Sequence, residues 1–302
     1  MEWIKTGWGP ELSPDFDASK NFYMDFSNMV CPSKDVLKVA KKVINNIVNE
    51  YPKPYYLMVS GGVDSQAMLW LWINSGVDFI PVSIKYTGFS SSTIYNDHDL
   101  VQLKEFSNKH DIKVKYINFN VFDFLENHLI EYAKKYTCTS PQLCTHMRMS
   151  ELITDGTKIF SGNFGIHTHY SYTILGIKRY ADINKNVIPF FFLHDKELAG
   201  TISPELVNQT DTNAERQLYL NKVKSLTEHG IPVIAQPDKT TGFEKIKEVY
   251  DYQEYKLKAR EKVRYANKPS KRVFDILFRY RLGETVKYED RIVYLGFNKL
   301  II

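Results

Sequence analysis

Residues Tyr55 to Gly76 run YYLMVSGGVDSQAMLWLWINSG. Tyr55 to Val59 is a short apolar, aromatic and β-branched run, which predicts a buried strand. Ser60-Gly61-Gly62-Val63-Asp64-Ser65 interrupts it with small, turn-forming residues. Gln66 to Asn74 is then apolar enough and long enough for a buried helix, with Gly76 as its left-handed stop. Strand, glycine turn and helix in that order make a place for a phosphate. The glycines let backbone approach an anion, the turn N–H groups point inward, and the helix N-terminus adds partial positive charge. Ser60 and Ser65 add hydroxyl donors. Asp64 is the exception, because a carboxylate repels phosphate. Either a magnesium ion or the capping of the helix explains it.

The whole chain narrows the function classes. Its 302 residues suffice for one large domain, or for one domain with a smaller appendage. At 43% hydrophobic and 25% charged, with 20 tyrosines and 18 phenylalanines, the composition is globular. No apolar run is long enough to span a membrane, and no signal peptide is expected at the start. Cys31, Cys138 and Cys144 form no disulfide framework and fit a reducing, cytoplasmic setting. The net charge of +4 does not by itself imply a nucleic-acid partner. The γ-phosphate pattern GxxxxGK(S/T) is missing from the sequence.

Residues 1–33 read as irregular, with one strand at Asn21 to Phe26 and with Trp3 and Trp8 anchoring the arm. Ser33 and Asp35 open a helix to about Tyr51 whose apolar face is Val36, Leu37, Ala40, Val43, Ile44 and Ile47. After Gly76 the periodicity predicts a strand at Phe79–Tyr86, a helix at Asp97–His110, a strand at Ile112–Phe119 and a helix at Phe122–Tyr136. A helix around Leu143–Ile153 and strands at Thr157–Phe160 and Val187–Leu193 follow. Such alternation predicts an α/β fold: a doubly wound, mostly parallel five-stranded sheet with helices on both faces. With the strand order 3-2-1-4-5, the ligand crevice lies between the first and fourth strands. Those two end in SGGVDS and in Ser161-Gly162-Asn163. Beyond about residue 200 the alternation weakens into helix (Pro204–Gly230), a short strand (Ile231–Gln236), an amphipathic helix (Phe243 to about Tyr265) and a hairpin-like end (Val286–Tyr288 with Ile292–Phe297). The expected division is an N-terminal arm and helix over 1–50, a nucleotide domain over 51–200 and a mainly helical substrate-side region over 201–302.

SGGVDS between a strand and a helix resembles the PP-loop of the N-type ATP pyrophosphatase superfamily. That superfamily includes the synthetase domains of asparagine, GMP and NAD synthetases and several tRNA-modifying enzymes. The resemblance implies that ATP is cut between its α and β phosphates, with magnesium, and that an acceptor is adenylated. It implies pyrophosphate on Ser60, Gly61, Gly62, Val63, Asp64 and Ser65, with Asp64 on the metal and Asp64 and Ser65 in the chemistry. The adenine edge then pairs with backbone at Ser83 and Ile84, where a buried strand end is the ordinary alternative. Lys85 faces either the phosphates or solvent. Ser161-Gly162-Asn163-Phe164-Gly165 resembles the second glycine motif of asparagine synthetase, SGEGADE, without its two acidic residues; it implies Gly162 beside the nucleotide. Asp238-Lys239-Thr240-Thr241-Gly242-Phe243 is similar to a late K-x-G-F segment of the same domains and implies Lys239 as a charge balance for pyrophosphate. A solvated loop is the competing reading of that segment.

The nearest resemblance is to asparagine synthetase-type amidation: activation of a carboxylate or carbonyl for attack by an amine or ammonia. Complete asparagine synthetases carry a glutaminase domain with an N-terminal cysteine, whereas this chain has Glu2, so the expectation is free ammonia, an ammonia-donating partner or another amine. Two rivals stand beside it. A tRNA- or base-modifying enzyme of the thiolation or queuosine-pathway type is favoured by Cys138, Cys144 and the segment Lys256–Arg281, where ten basic residues face two acidic ones and an RNA backbone is a possible partner. A solvated basic helix face, and two ordinary thiols at a spacing too wide for a zinc pair, are the plainer readings. His167 and His169 in IHTHY are candidates to face one site, with ordinary hydrogen-bonded histidines as the plainer reading. The second rival is a nucleotide-binding protein without chemistry, against which the intact SGGVDS argues.

Overall fold

A computed structural model describes residues 5–8, 22–25, 35–88, 93–136, 141–161, 180–181, 183–190, 198, 215–236, 245–246 and 292–295. In chain order its elements are β1 (Lys5–Trp8), β2 (Phe22–Asp25), α1 (Val36–Glu50), β3 (Tyr55–Met58), α2 (Val63–Ser75), β4 (Ile80–Thr87), α3 (Asp97–Lys109), β5 (Lys115–Asn120), α4 (Val121–Asn127), α5 (Leu129–Tyr136), α6 (Pro141–Glu151), β6 (Thr157–Phe160), β7 (Val187–Pro189), α7 (Glu215–Glu228) and β8 (Ile292–Leu295).

Five strands form one sheet in the order β5-β4-β3-β6-β7, and every pair in it is parallel. Counted within the sheet this is the expected 3-2-1-4-5, so the winding reverses between β3 and β6. The four residues of β3 are all buried, as expected of the central strand of a covered sheet. β5 is different. It is an edge strand with most residues exposed, and its polar residues Lys115, Asn118 and Asn120 suit that position.

α2 is buried on nearly all sides, consistent with the apolar run Ala67–Ile73 at its centre. Trp72 is fully buried at its centre, with the rings of Tyr55, Phe79 and Phe190 within 6.2 Å centroid to centroid. α1 is capped by Asp35, whose Oδ1 accepts from Lys38 N–H at 3.0 Å. Its buried face is Val36, Val39, Ala40, Val43, Ile44 and Ile47. Leu37, expected on that face, is only partly buried, and Val39 holds its place.

Several expectations change. The helix predicted over Phe122–Tyr136 is two helices, because His128 leaves helical backbone at φ −128°. Ile112 is not in β5; its N–H returns to the Ser107 carbonyl at 2.8 Å and closes α3. Residues 5–8, read as irregular, form β1, antiparallel to β2. The strand at Ile292–Leu295 is real, yet its partner is β2, in parallel register, in a three-stranded sheet β1-β2-β8. The other half of the expected hairpin, Val286–Tyr288, lies outside the described residues, as does most of the helix expected over 243–265.

Registration of β6 against β3 begins at a close approach. Thr157 N–H donates to the Pro54 carbonyl at 2.9 Å, and Thr157 Oγ1 donates to the Pro52 carbonyl at 2.8 Å. Gly156, at φ +58°, lies just before this contact, where a Cβ would collide with the Pro54 carbonyl. Gly76 also has positive φ, +75°, but open space around it. Gly76→Ala should therefore cost about 1–2 kcal/mol, the left-handed penalty alone. Gly156→Ala should cost distinctly more, because its backbone contact must also open. Urea unfolding midpoints of the two variants would show this order; equal losses would refute the steric account.

Candidate functional site

β3 ends at Met58, and Val59 N–H still reaches the Val82 carbonyl at 2.8 Å before the chain leaves the sheet. Ser60 N–H then donates to Ser65 Oγ at 3.0 Å, and the two hydroxyl oxygens lie 3.1 Å apart. These bonds close the loop onto the first turn of α2. The first helical bond runs from Gln66 N–H to the Gly62 carbonyl at 3.0 Å, so the N–H groups before it have no helical acceptor. Together with the helix dipole they form an anion seat. Val63 contributes to that seat through its backbone, since its side chain is buried in the core. Ser65 is buried as well, its hydroxyl held by Ser60.

The two glycines, expected to serve one purpose, serve two. Gly61 has φ +92°, and a Cβ there would strike the Asp99 carbonyl and sit 3.2 Å from Leu103 Cβ. Its missing side chain lets α3 pack onto the loop. Gly62 has ordinary extended backbone, φ −64° and ψ 162°, and a Cβ would come no nearer than 3.6 Å to Ser60 Oγ. What Gly62 supplies is open space at the N-terminus of α2.

Asp64 occupies the first turn of α2, and its side chain is only 15% exposed. Lys222 of α7, with a side chain 7% exposed, brings Nζ to 2.6 Å from Asp64 Oδ1. The contact is an ion pair without hydrogen-bond geometry. Asp64 therefore does not cap α2 through its side chain; the N-cap residue is Gly62. One carboxylate facing an anion seat suits magnesium, which binds through one or two carboxylates plus substrate phosphates. Among the described residues no cluster of three or more His, Cys, Asp or Glu side chains makes a protein-only metal site.

Gln66 fastens the loop to a distant segment. Its Nε2 donates to the Gly61 carbonyl at 2.7 Å and to the Ile234 carbonyl at 3.1 Å, and its Oε1 accepts from Ile234 N–H at 2.6 Å. Nearby, Gln236 N–H donates to Tyr219 Oη at 2.7 Å and Gln236 Nε2 donates to Asp99 Oδ1 at 3.2 Å. Residues 231–236, expected as a strand, join neither sheet. Side chains of Gln66 and Tyr219 take up the backbone groups that a ladder would use.

Ser83 and Ile84, expected at a strand end, lie in the middle of β4, which runs on to Thr87; both are buried, and the Ser83 hydroxyl has no partner among the described residues. The Val82 carbonyl faces β3, so by strand alternation Ser83 turns its backbone to β5 and Ile84 turns its own toward the crevice side. There Asn96 intervenes: its Nδ2 donates to the Ile84 carbonyl and its Oδ1 accepts from Tyr86 N–H, both at 2.9 Å. Lys85 places Nζ 4.5 Å from the centroid of Tyr116, toward β5. Tyr86 Oη lies 2.9 Å from His146 Nε2, and desolvation holds the His146 pKa down to about 4. Cys144, two residues earlier on α6, is fully buried. Gly162, Lys239, Cys31, Cys138, His167, His169 and the basic segment Lys256–Arg281 lie outside the described residues.

Gln66, Lys222 and Asn96 were missed by sequence reasoning. A signal existed for Gln66: an amide directly before the apolar run Ala67–Ile73 of a buried helix must find partners. Gln66→Leu should leave Gly61 O and both backbone groups of Ile234 unpaired, at about 1–3 kcal/mol for each group that water cannot reach. Denaturant unfolding measures the loss, and a change under 1 kcal/mol would mean that this link does not hold the segment.

No protein-family model and no curated protein sequence matches the chain. Among solved structures it is similar to the U34-tRNA thiolase NcsA from Methanococcus maripaludis with its 4Fe-4S cluster, at 12% identity and a TM-score of 0.35, over 83% of this chain and 81% of that one. The NH3-dependent NAD synthetase from Campylobacter jejuni overlaps at 13% identity and a TM-score of 0.31, over 67% of this chain and 98% of that one. NMN synthetase from Francisella tularensis overlaps at 12% identity and a TM-score of 0.32, over 68% and 98%. All three are weak overlaps.

Proposed function

We propose that the chain is an ATP-dependent adenylating enzyme of the PP-loop type, which cuts ATP between the α and β phosphates and activates an acceptor for attack by an amine or ammonia. One observation carries the reading. SGGVDS forms a closed loop at the N-terminus of α2, at the point between β3 and β6 where the sheet reverses its winding.

The β and γ phosphates would lie over Gly62, against the N–H groups of the first turn of α2 and the Ser60 hydroxyl. These donors are fixed before the reaction and meet the charge that grows on departing pyrophosphate. Ser65 holds Ser60 in place by their mutual hydrogen bonds. Magnesium, held by Asp64, would neutralise phosphate charge. Adenine would meet β4 at Ile84, whose carbonyl already accepts from Asn96 and has a second lone pair to offer. Ser83, with its backbone turned to β5, would support that part of β4 from the other side. Gly162 beside the nucleotide and Lys239 near pyrophosphate complete the proposed set.

A nitrogen nucleophile is preferred to sulfur because Cys144 is fully buried and presents no thiol to the crevice. A small-molecule acceptor, a separate ammonia donor and a cytoplasmic setting belong to the same proposal. No helix among the described residues is long and apolar enough to cross a membrane.

The products of turnover test the assignment. AMP and pyrophosphate are expected once the acceptor is supplied, and chromatography showing ADP as the main nucleotide product would refute it. Gly62→Val should fold normally, since valine adopts the Gly62 backbone, yet its side chain would fill the space left for phosphate. ATP titration of the folded variant should show affinity lowered at least about tenfold, the loss of roughly one charge-assisted hydrogen bond.

A further inference from the structure

We infer that Lys222 is a phosphate-binding and positioning residue of the loop, which neutralises Asp64 when the loop is empty and turns to the phosphate when a divalent cation takes the carboxylate. The inference rests on the PP-loop reading and deepens it. The ligand class it selects is a metal-complexed polyphosphate, in preference to a bare anion.

The starting observation is the 2.6 Å contact between Lys222 Nζ and Asp64 Oδ1. Both side chains are largely buried, so water screens the pair poorly and each charge needs the other. A carboxylate at an anion seat is tolerable in this state only because the ammonium cancels it. Metal-free phosphate would still meet that carboxylate, and gains little from a lysine already committed to it.

A divalent cation and Lys222 compete for the same carboxylate. Oδ1 is buried against the ammonium, so a cation arriving at Asp64 repels Lys222 in a poorly screened site, several times more strongly than in water. Lysine is suited to yield, since its ammonium is a point charge on a flexible four-carbon stem. Its travel is limited. Residues 231–236, which follow α7, are held to the loop by Gln66 and Ile234, and Gln236 is held to Tyr219 within α7. The ammonium therefore stays beside the loop, within reach of an anion seated on it. Metal and polyphosphate then favour each other's binding through one side chain, and by linkage the effect is reciprocal.

Three titrations test this, using the full chain. Wild-type protein should bind pyrophosphate with Mg2+ clearly more tightly than without it, read by calorimetry. Lys222→Met should weaken Mg2+–pyrophosphate binding about tenfold or more, the loss of one charge-assisted bond. It should also strengthen binding of Mn2+ alone, read by electron paramagnetic resonance, because the competing cation is gone. Unchanged pyrophosphate affinity in a variant that folds would overturn the role of Lys222, as would Mn2+ binding that does not strengthen. Wild-type protein that binds neither pyrophosphate nor ATP would instead overturn the PP-loop reading and this inference with it. If Lys222→Met fails to fold around an unpaired Asp64, the neutral pair Asp64→Asn with Lys222→Met replaces it. That double variant should bind pyrophosphate about tenfold more weakly than Asp64→Asn alone, and equal affinity would overturn the inference.

Discussion

At Gly61 the chain passes so close to the Asp99 carbonyl that no side chain fits between them. This contact sets the distance between the loop and α3, and much of the crevice follows from it. With φ at +92°, Gly61 also turns its carbonyl to Gln66, whose amide then reaches residue 234. Asp99, whose carbonyl touches Gly61, accepts from Gln236 through its side chain. One tight turn thus joins β3, α2, α3 and the stretch after α7.

That arrangement puts two opposing demands in one place. An anion seat needs donors and positive potential, while a metal needs a carboxylate. In the proposed site the first turn of α2 would meet both demands, and the buried ion pair with Lys222 would reconcile them. A buried pair of this kind adds little to stability over apolar residues of similar size. Its presence at the mouth of a helix dipole is better explained by what the two charges do separately.

The polar network elsewhere has another character. Tyr132 and Tyr136 both donate to Glu151, and Tyr180 bonds to Ser150 and to the Met147 carbonyl, tying α5, α6 and the helical residues at 180–181 together. Burial and the neighbouring carboxylate raise the Tyr132 pKa, and burial raises that of Tyr180, so both stay neutral hydroxyls. These groups are satisfied by one another and rigidify the packing of α5 against α6.

The sequence by itself determined the strand–turn–helix unit, the parallel sheet and the place where its winding reverses. Those features are local or follow from general rules: apolar runs of strand length, glycine at the turn, and crossovers of one hand. Only the tertiary structure decided which glycine opens space and which admits a helix, because both read as turn residues. Only it decided that Gln66 and Tyr219 hold residues 231–236 where a strand was expected, and that β8 lies beside β2. Lys222 shows the limit most clearly. It and Lys224 stand two residues apart on one polar helix, alike in charge and length. Lys222 is buried on Asp64, whereas the Lys224 side chain is 75% exposed and paired with Glu228. The i±4 spacing of Lys222 from Leu218 and Leu226 hints at its burial, but which side of α7 meets the loop, and so its pairing with Asp64, is not in the local pattern.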